Sequence, residues 1–579
     1  MSVPSLPSFD VREIPFSRRG SWLDLSPVVG LHRHADDVHL VSHVNGMHAV
    51  LRLVPTRGGK RVDAVVRADA SWVTWHVDGE AVAAAVFESD EAVRIAGGGD
   101  FTIEDAVAEL TPFTGSYLYQ DPLDGSHVFT SYETGRRYRV TVLTGRLAVT
   151  GAEALGHGIR SLTLSGEEWE VAIEEITSAA PSYVPREAFG EVRDRVAGEF
   201  TEYLDAIAAW RTDETPAVAL AAYVLWSATV APAGFVHRES VLMSKHWMDK
   251  VWSWDHTFNA LALAPGLPDS ALDQFLAPFD HQDAAGAMPD SITHSEVLYN
   301  YVKPPIHGWA LAKLRERMPR AATEEELRAI YERLSRWSRF WLEHRTAPGR
   351  ALPHYQHGND SGWDNSTAFD RDRVIEAPDL AAFLAVQLDV LADLADELDI
   401  DEAAGWRAEG ERLRAALLRE LHDEDGFFAV APLSGRVSTR SSLLTLLPVL
   451  ASDRLPDEVV DGLADRIAAH LTPWGPATQL VGSAEYESDG NWRGPIWAPS
   501  TMLIEEGLRR GGRTALADVV NERFRALCER SGFAENFDAL SGAGLRDRAY
   551  TWTASVYLVF AHEHLLRRTG SGPASEASA

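Results

Sequence analysis

The chain has 579 residues, 45% of them apolar and 24% charged, with a single cysteine. Lys and Arg number 54 against 85 Asp and Glu, a formal net charge of −31, so a nucleic-acid backbone or an anionic membrane surface would be repelled. The length exceeds what one ordinary hydrophobic core organises, and a lone Cys528 excludes any intrachain disulfide framework; on an apolar helix stripe it reads as a packed core thiol.

The first residues, "MSVPSLPSFDVREIPFSRRGSW", carry prolines and charges where a secretion signal needs an unbroken apolar run, and a cytoplasmic protein is expected. Residues 1–180 read as β structure. "VHLVSHVNGMHAVLRLVP", "SWVTWHVDGEAVAAAVFE" and "RRYRVTVLTGRLAVTG" alternate apolar and polar residues between turn signals such as "VNG" and "VDG". Runs of this kind at short intervals, without helices between them, predict an antiparallel β-sandwich domain. The proline-bearing, small-residue stretch at 177–189 reads as a linker, assigned to 181–189.

From residue 190 the apolar period becomes helical and stays so to 567. Helices are expected near 190–212, 215–231, 255–264, 269–280, 304–318, 323–346, 377–400, 402–422, 439–450, 456–470, 498–510, 513–530 and 550–567. "PAVALAAYVLWSATVAPAGF", residues 216–235, is uncharged over a bilayer's length, but its alanines, Ser227, Thr229 and Pro232 favour a helix buried inside a large domain. About a dozen long helices joined by Gly- and Trp-rich loops suggest six helical hairpins closed into a ring, an (α/α)6 toroid over 190–567; an open solenoid or two bundles are the alternatives. The tail, 568–579, should be disordered.

The unusual residues lie in four islands between helices. In "MSKHWMDKVWSWDHTFNALAL", 243–263, Trp247, Trp252 and Trp254 precede Asp255 and His256 at a helix start. Asp255 could simply cap that helix; the indoles beside it could instead stack on a sugar ring while the carboxylate takes its hydroxyls. In "GAMPDSITHSEVLYNYVKPPIHGWAL", 286–311, His294, His307 and Trp309 could line a pocket, although packing or capping serves each as well. "LPHYQHGNDSGWDNST" contains Trp363, Asp364 and Asn365 on a Gly-broken loop, and its HxxH pair, His354 and His357, lacks further ligands at metal-site spacing, so neither metal nor other cofactor is expected. The last island comprises "AEYESDGNWRGPIWAPSTMLIEEGL", 484–508, with Trp492, Arg493 and Trp497, and "GFAENFDALSGAG", 532–544, with Glu535. Arg493 could equally be a structural ion-pair partner.

Two carboxyls on separate loops among tryptophans are what glycosidic bond cleavage needs. One is held protonated by burial against an apolar surface and gives its proton to the leaving oxygen; the other stays ionised to activate water or attack carbon. Asp364, beside Trp363, fits the acid, and Glu535 the base.

"WSWDH" at 252–256, "GAMPD" at 286–290, "SGWDNS" at 361–366, "WRGPIW" at 492–497 and "ENFDALSGAG" at 535–544 together resemble the ordered motif set of glycoside hydrolase family 63. That family includes processing α-glucosidase I, bacterial α-glucosidases, and mannosylglycerate and glucosylglycerate hydrolases, and the related trehalases share the "SGWD" motif. The resemblance covers roughly residues 240–560. It implies an (α/α)6 catalytic domain, inversion at the anomeric centre, Asp364 as general acid, Glu535 as general base, and Asp255 at the subsite of the sugar being released with Trp252 and Trp254 beside it; His256, Trp309, Trp363, Asn365, Trp492, Arg493 and Trp497 are further candidates for substrate contact. The chain departs from the family pattern at Phe537 (more often Tyr), Ala539 (more often Pro) and Asn491 (often Tyr).

The expected activity is therefore inverting hydrolysis of a small α-glucoside or oligosaccharide, with a small carbohydrate as the only partner. An α-mannosidase-type enzyme, a glucosyl- or mannosylglycerate hydrolase and a trehalase are the near alternatives. A phosphorylase would need a phosphate site in place of the base; an epimerase would depend on His354 or His357; a non-catalytic carbohydrate-binding protein would keep the aromatics without turnover. The β domain is expected to have a structural or substrate-shaping role.

Overall fold

The structure is a computed structural model, and it describes residues 6–152 and 158–569. The chain divides into two compact units, one formed by Met1–Ala206, Ala222–Lys250 and Thr293–Glu296, the other by Ile207–Ala221, Val251–Ile292 and Val297–Ala579.

The first unit is built on strands β1 (Ser8–Phe9), β2 (Leu23–Gly30), β3 (Arg33–Ser42), β4 (His48–Arg57), β5 (Lys60–Arg61), β6 (Val65–Asp69), β7 (Val73–Val77), β8 (Glu80–Phe87), β9 (Ala92–Gly97), β10 (Asp100–Asp105), β11 (Ser116–Gln120), β12 (His127–Ser131), β13 (Arg137–Thr150) and β14 (Ser161–Ile176). All pair antiparallel in one hydrogen-bonded network whose main path runs β1-β6-β7-β8-β9-β14-β10-β4-β3-β2. Antiparallel β structure is thus observed where alternation predicts it. On that path β7 and β10 lie four strand spacings apart, about 19 Å if the sheet were flat. Yet Trp75 of β7 and Phe101 of β10 have ring centroids 5.6 Å apart, so the sheet folds over on itself. The enclosed core draws Leu25, Leu40, Leu53, Trp75, Phe87, Ile95, Phe101 and Trp169 from the strands on both arms. Residues 177–188, after β14, run without helix or strand.

The helices are α1 (Phe189–Ala208), α2 (Val218–Ala228), α3 (His256–Leu263), α4 (Pro268–Leu276), α5 (His307–Arg317), α6 (Glu324–Arg339), α7 (Pro378–Glu397), α8 (Ala403–Glu420), α9 (Asp457–His470), α10 (Ala498–Arg510), α11 (Thr514–Ser531) and α12 (Thr551–Thr569). The uncharged stretch supplies α2, buried from Ala221 onward, and no helix of the described residues is long and apolar enough to cross a membrane. The helix expected at 439–450 is instead a 3₁₀ segment, Leu443–Arg454. Pro448 lacks the amide hydrogen an α-helical turn requires, and Ala451 leaves the helical region altogether. Arg568 and Thr569 end α12, and the rest of the tail expected to be disordered lies outside the described residues.

Within the second unit two kinds of helix occur. All eight residues of α3 are buried, as are the first eleven of both α10 and α12, so these helices are surrounded by protein. By contrast α6 buries one stripe and exposes Glu and Arg, its start closed by a Thr323–Glu326 capping box. The buried helices pack in series: α3 on α5, α5 on α7, α7 on the 443–454 segment, that segment on α10, α10 on α12, and α12 back on α3. Cys528, on α11, is buried.

Candidate active site

The loops that enter α3, α5, α7, α10 and α12 carry the chemistry-bearing residues. Asp255 stands at the N-terminal end of α3 but makes no side-chain cap, so the capping role is not its job. Its Oδ2 is buried without a hydrogen-bond partner. The preceding Val251–Trp252 strand pairs with Ser291–Ile292, which pairs in turn with Val297–Leu298, and this small sheet sets Trp252 near Asp290. Lys303, just before α5, lies 2.8 Å from Asp290, 5.3 Å from the Trp252 ring, and donates to the Asn359 carbonyl at 2.8 Å.

Asn359 belongs to the "HGNDSGWDNST" stretch, which the structure explains residue by residue. His357 caps a short 3₁₀ turn over Gly358–Ser361, its Nδ1 accepting from the Asn359 amide. Asp360 is saturated: it takes Arg345 at 2.8 Å and the amides of Val302 and Gln356 at 3.1 and 2.8 Å. It is therefore a scaffold residue that holds the loop against the entry to α5. Gly362 closes the turn at φ +74°, and a Cβ there would meet the Trp254 ring at 2.5 Å, so glycine is required twice over. The next residues, Trp363 and Asp364, follow directly. Asp364 is only half-buried by its own surface.

Asn365 and Arg493 tie this loop to the next. The Asn365 side chain donates to the Gly490 carbonyl and accepts from the Trp492 amide, both at 3.0 Å. Arg493 donates to the Asn365 carbonyl at 2.8 Å and pairs with Asp370. Trp492 and Trp497 stack with centroids 4.1 Å apart and planes within 8°, Trp363 lies 4.6 Å from Trp492, and Trp552 bridges Trp497 and Trp254. These indoles are at most 4% exposed and form the wall that carries the loops. Of the tryptophans singled out in the sequence, Trp252 alone is half-buried within this neighbourhood; Trp309, on α5, packs against Phe258 and is 1% exposed. His256 is wholly buried in the first turn of α3.

Glu535 enters from the far end of the sequence. Its amide donates to the Asp547 carbonyl at 2.7 Å, and the adjoining Phe537 exchanges backbone bonds of 2.8 and 3.0 Å with Ile496, locking this loop to the "WRGPIW" loop. Thr553 of α12 holds the Ala534 carbonyl at 2.8 Å. The Glu535 side chain, 5% exposed, has Oε2 buried without a partner.

Electrostatics link these groups. Burial pushes the Asp255 carboxyl up to about 8, with Lys303 opposing and Asp290 and Asp364 reinforcing the rise. Glu535 is likewise pushed up to about 8, by burial and then by Asp547, against the pull of Arg546, and Asp364 adds to it. Asp364 is itself raised by burial, with Lys303 acting against that rise and Asp290 with it. The Tyr550 phenol, raised by burial, feels Glu535, Asp255, Asp547 and Asp364 together. Asp255, Asp364 and Glu535 therefore occupy one electrostatic neighbourhood, with Lys303 as a buried cation within it. Lys303, Asp290, Arg546, Asp547 and Tyr550 were not singled out in the sequence; the available signals were a lysine before two prolines and the dense "LRDRAY" run between Glu535 and α12. His354 and His357 do not converge on a metal-ligand group: His354 is lowered by burial, and His357 is spent on the cap and on stacking with Tyr301 at 5.0 Å.

Residues 248–553 match the mannosylglycerate hydrolase MGH1-like glycoside hydrolase domain, just over half of the chain. Mannosylglycerate hydrolase of Rubrobacter radiotolerans is 24% identical over 400 residues, covering 53% of this chain and 89% of that protein. Among solved structures, a family 63 mannosylglycerate hydrolase of Thermus thermophilus in complex with glucose matches with a TM-score of 0.54 at 21% identity, over 60% of this chain and 99% of that one. A bacterial glucoamylase complexed with acarbose matches the fold over 97% of this chain and 96% of its own, with a TM-score of 0.60 at 11% identity. The chain belongs to the MGH1-like glycoside hydrolases of family 63.

Proposed function

We propose that the chain hydrolyses a small α-glycoside with inversion at the anomeric carbon, Asp364 acting as general acid and Glu535 as general base. The observation that carries this reading is the presence of two carboxyls on separate loops, both raised by burial, with the charge of Asp364 adding to the rise of Glu535. Such carboxyls cannot easily ionise together, so the pair retains a proton, and the reaction proceeds from the form in which that proton sits on Asp364 and Glu535 is ionised. Protonated Asp364 gives its proton to the glycosidic oxygen as the bond to the anomeric carbon breaks. Ionised Glu535 takes a proton from the water that attacks that carbon from the opposite face, releasing the inverted sugar and the free aglycone hydroxyl. This needs a carboxyl separation of about 6.5–9.5 Å.

Asp255, with its partnerless buried Oδ2, suits a hydroxyl of the sugar, and the half-buried Trp252 is taken as the indole that stacks on the ring. The other tryptophans, with Asn365 and Arg493, hold the loops that present these groups. The scaffold is read as an (α/α)6 toroid over 190–567, supported by the closed series of buried-helix packings, with a β domain at 1–180 and the linker at 181–189. Five of the six members of that series carry site loops at their N-terminal ends, which is how one face of a ring collects residues distant in sequence. The setting is read as cytoplasmic.

The sugar is glucose or mannose and the aglycone small; the name of the relative, mannosylglycerate hydrolase, makes glyceryl glycosides the first substrates to test. The experiment is a screen of α-mannosylglycerate, α-glucosylglycerate, trehalose and other α-glucosides, with the released anomer followed by NMR. Initial release of the β-anomer is expected. Initial release of the α-anomer would overturn Glu535 as base, and turnover that depends on inorganic phosphate would assign a phosphorylase instead.

A further inference from the structure

The first unit contains an open cavity of about 600 Å³, lined wholly by its own residues, within the size range of small-ligand sites. One wall is the segment Arg18–Trp22, and it is firmly built. Gly20 exchanges backbone bonds of 2.9 and 2.8 Å with Thr229 and Ala231, while Lys245 donates to the Ser17 hydroxyl at 2.8 Å and the Ser21 carbonyl at 2.5 Å from beneath. Gly20 sits at φ +94°, and any Cβ there would strike the Asp90 carboxylate at 2.7 Å, so the Asp90 side of the cavity depends on this glycine. Arg136 and, at the end of β14, Glu175, Ile176 and Thr177 also line the cavity.

The two cavity arginines are in different states. Arg18 is saturated, with Nε and Nη2 on Glu199 and Nη1 on Asp90 at 2.9–3.0 Å. Arg136 is not: its guanidinium reaches His294 at 3.4 Å and Glu175 at 3.8 Å, both longer than a good charge-assisted bond, and its Nε has no hydrogen-bond partner. Burial and then the charge of Arg136 lower the His294 pKa, and its Nδ1 is also without a partner. A guanidinium and a carboxylate 3.8 Å apart match vicinal hydroxyls, one accepting from Arg136 and one donating to Glu175. Val44, Ile176 and the Ala231–Ala233 stretch supply apolar surface for the C–H face of a ring.

Charge separates the ligand classes. Two cationic side chains, Arg18 and Arg136, face three acidic ones, Asp90, Glu91 and Glu175, so the lining is net negative and disfavours an anion. We infer that the β-sheet unit carries a second carbohydrate site, for a neutral mono- or disaccharide, centred on Arg136, Glu175 and His294.

The test is calorimetric titration of the full chain with D-glucose, with cellobiose, whose β-linkage an α-glycosidase leaves intact, and with inorganic phosphate. The unaltered protein should bind sugar at a site that Arg136→Met weakens at least tenfold, while turnover at the Asp364–Glu535 site stays within twofold. A sugar isotherm indifferent to Arg136→Met, or phosphate binding that Arg136→Met abolishes, would overturn the inference. Should Arg136→Met fold poorly, crystals of the unaltered chain grown with cellobiose decide the matter: sugar against Arg136 supports the site and an empty cleft refutes it. Neither result bears on the roles of Asp364 and Glu535.

Discussion

Replacing Glu535 with Gln should stabilise the helical unit at alkaline pH while lowering turnover. In the folded chain the Glu535 carboxyl holds its proton up to about 8, whereas in an unfolded chain it releases it near 4.5. Between those values the native state binds the extra proton, so this group's contribution to stability falls as the pH rises from 4.5 through 8. Moving a carboxyl from 4.5 to about 8 is worth about 5 kcal/mol at about 1.36 kcal/mol per pH unit. Glu535 is 5% exposed, so solvent screening removes little of this. The amide of the variant has no proton to lose, but in the same pocket it leaves polar atoms without partners, at a cost of about 1–3 kcal/mol. The net expectation at pH 9 is a variant about 2–4 kcal/mol more stable than the native sequence, with the advantage gone at pH 4.5. Urea unfolding at pH 4.5, 7 and 9, followed by tryptophan fluorescence, measures it, and the same samples should show turnover lower by about 10²-fold or more. A stability difference that does not change with pH, or a variant less stable at pH 9, would refute the assignment of a buried, partnerless carboxyl at this position.

Asp364→Asn should lower kcat by about 10²- to 10⁴-fold with little change in KM, because it removes a proton donor and keeps the shape of the side chain; a steady-state assay on the best substrate from the screen checks it. Gly362→Ala should cost about 1–2 kcal/mol from the left-handed backbone alone, and more as Trp254 is displaced from 2.5 Å, lowering the thermal midpoint and the activity together. Arg546→Gln removes the cation that pulls the Glu535 carboxyl down, so the acid limb of the pH–rate profile should move to higher pH while KM stays close to its original value. An unchanged profile would show that Arg546 serves only its contacts with Asn536 and Asp489.

Local pattern carried a good deal of this protein. Strict alternation between turn signals located the β strands, because a half-buried strand must repeat every two residues. The change to a 3.6-residue period located the helices, and its one misreading came where Pro448 interrupts an otherwise apolar run. Motif spacing picked out the loops holding Asp255, Asp364 and Glu535, because loops at helix starts are polar, glycine-broken and therefore conspicuous against apolar periodicity. What a tryptophan does could not be read that way: Trp363, Trp492 and Trp497 are candidates for substrate contact in sequence, and the structure packs them against one another as a wall. Asn365 and Arg493 similarly serve the backbone of neighbouring loops.

The sequence by itself determined the element types, the loops rich in chemistry and, through its motif set, the family. Only the tertiary structure decided which loops meet, that Lys303, Asp290 and Tyr550 join the carboxyls, and which aromatic faces are spent on packing. The division has a physical cause. Periodicity and turn chemistry are properties of a few consecutive residues, whereas burial and electrostatic neighbourhood depend on segments brought side by side by the packing of α3 against α12, and no short window of sequence contains both.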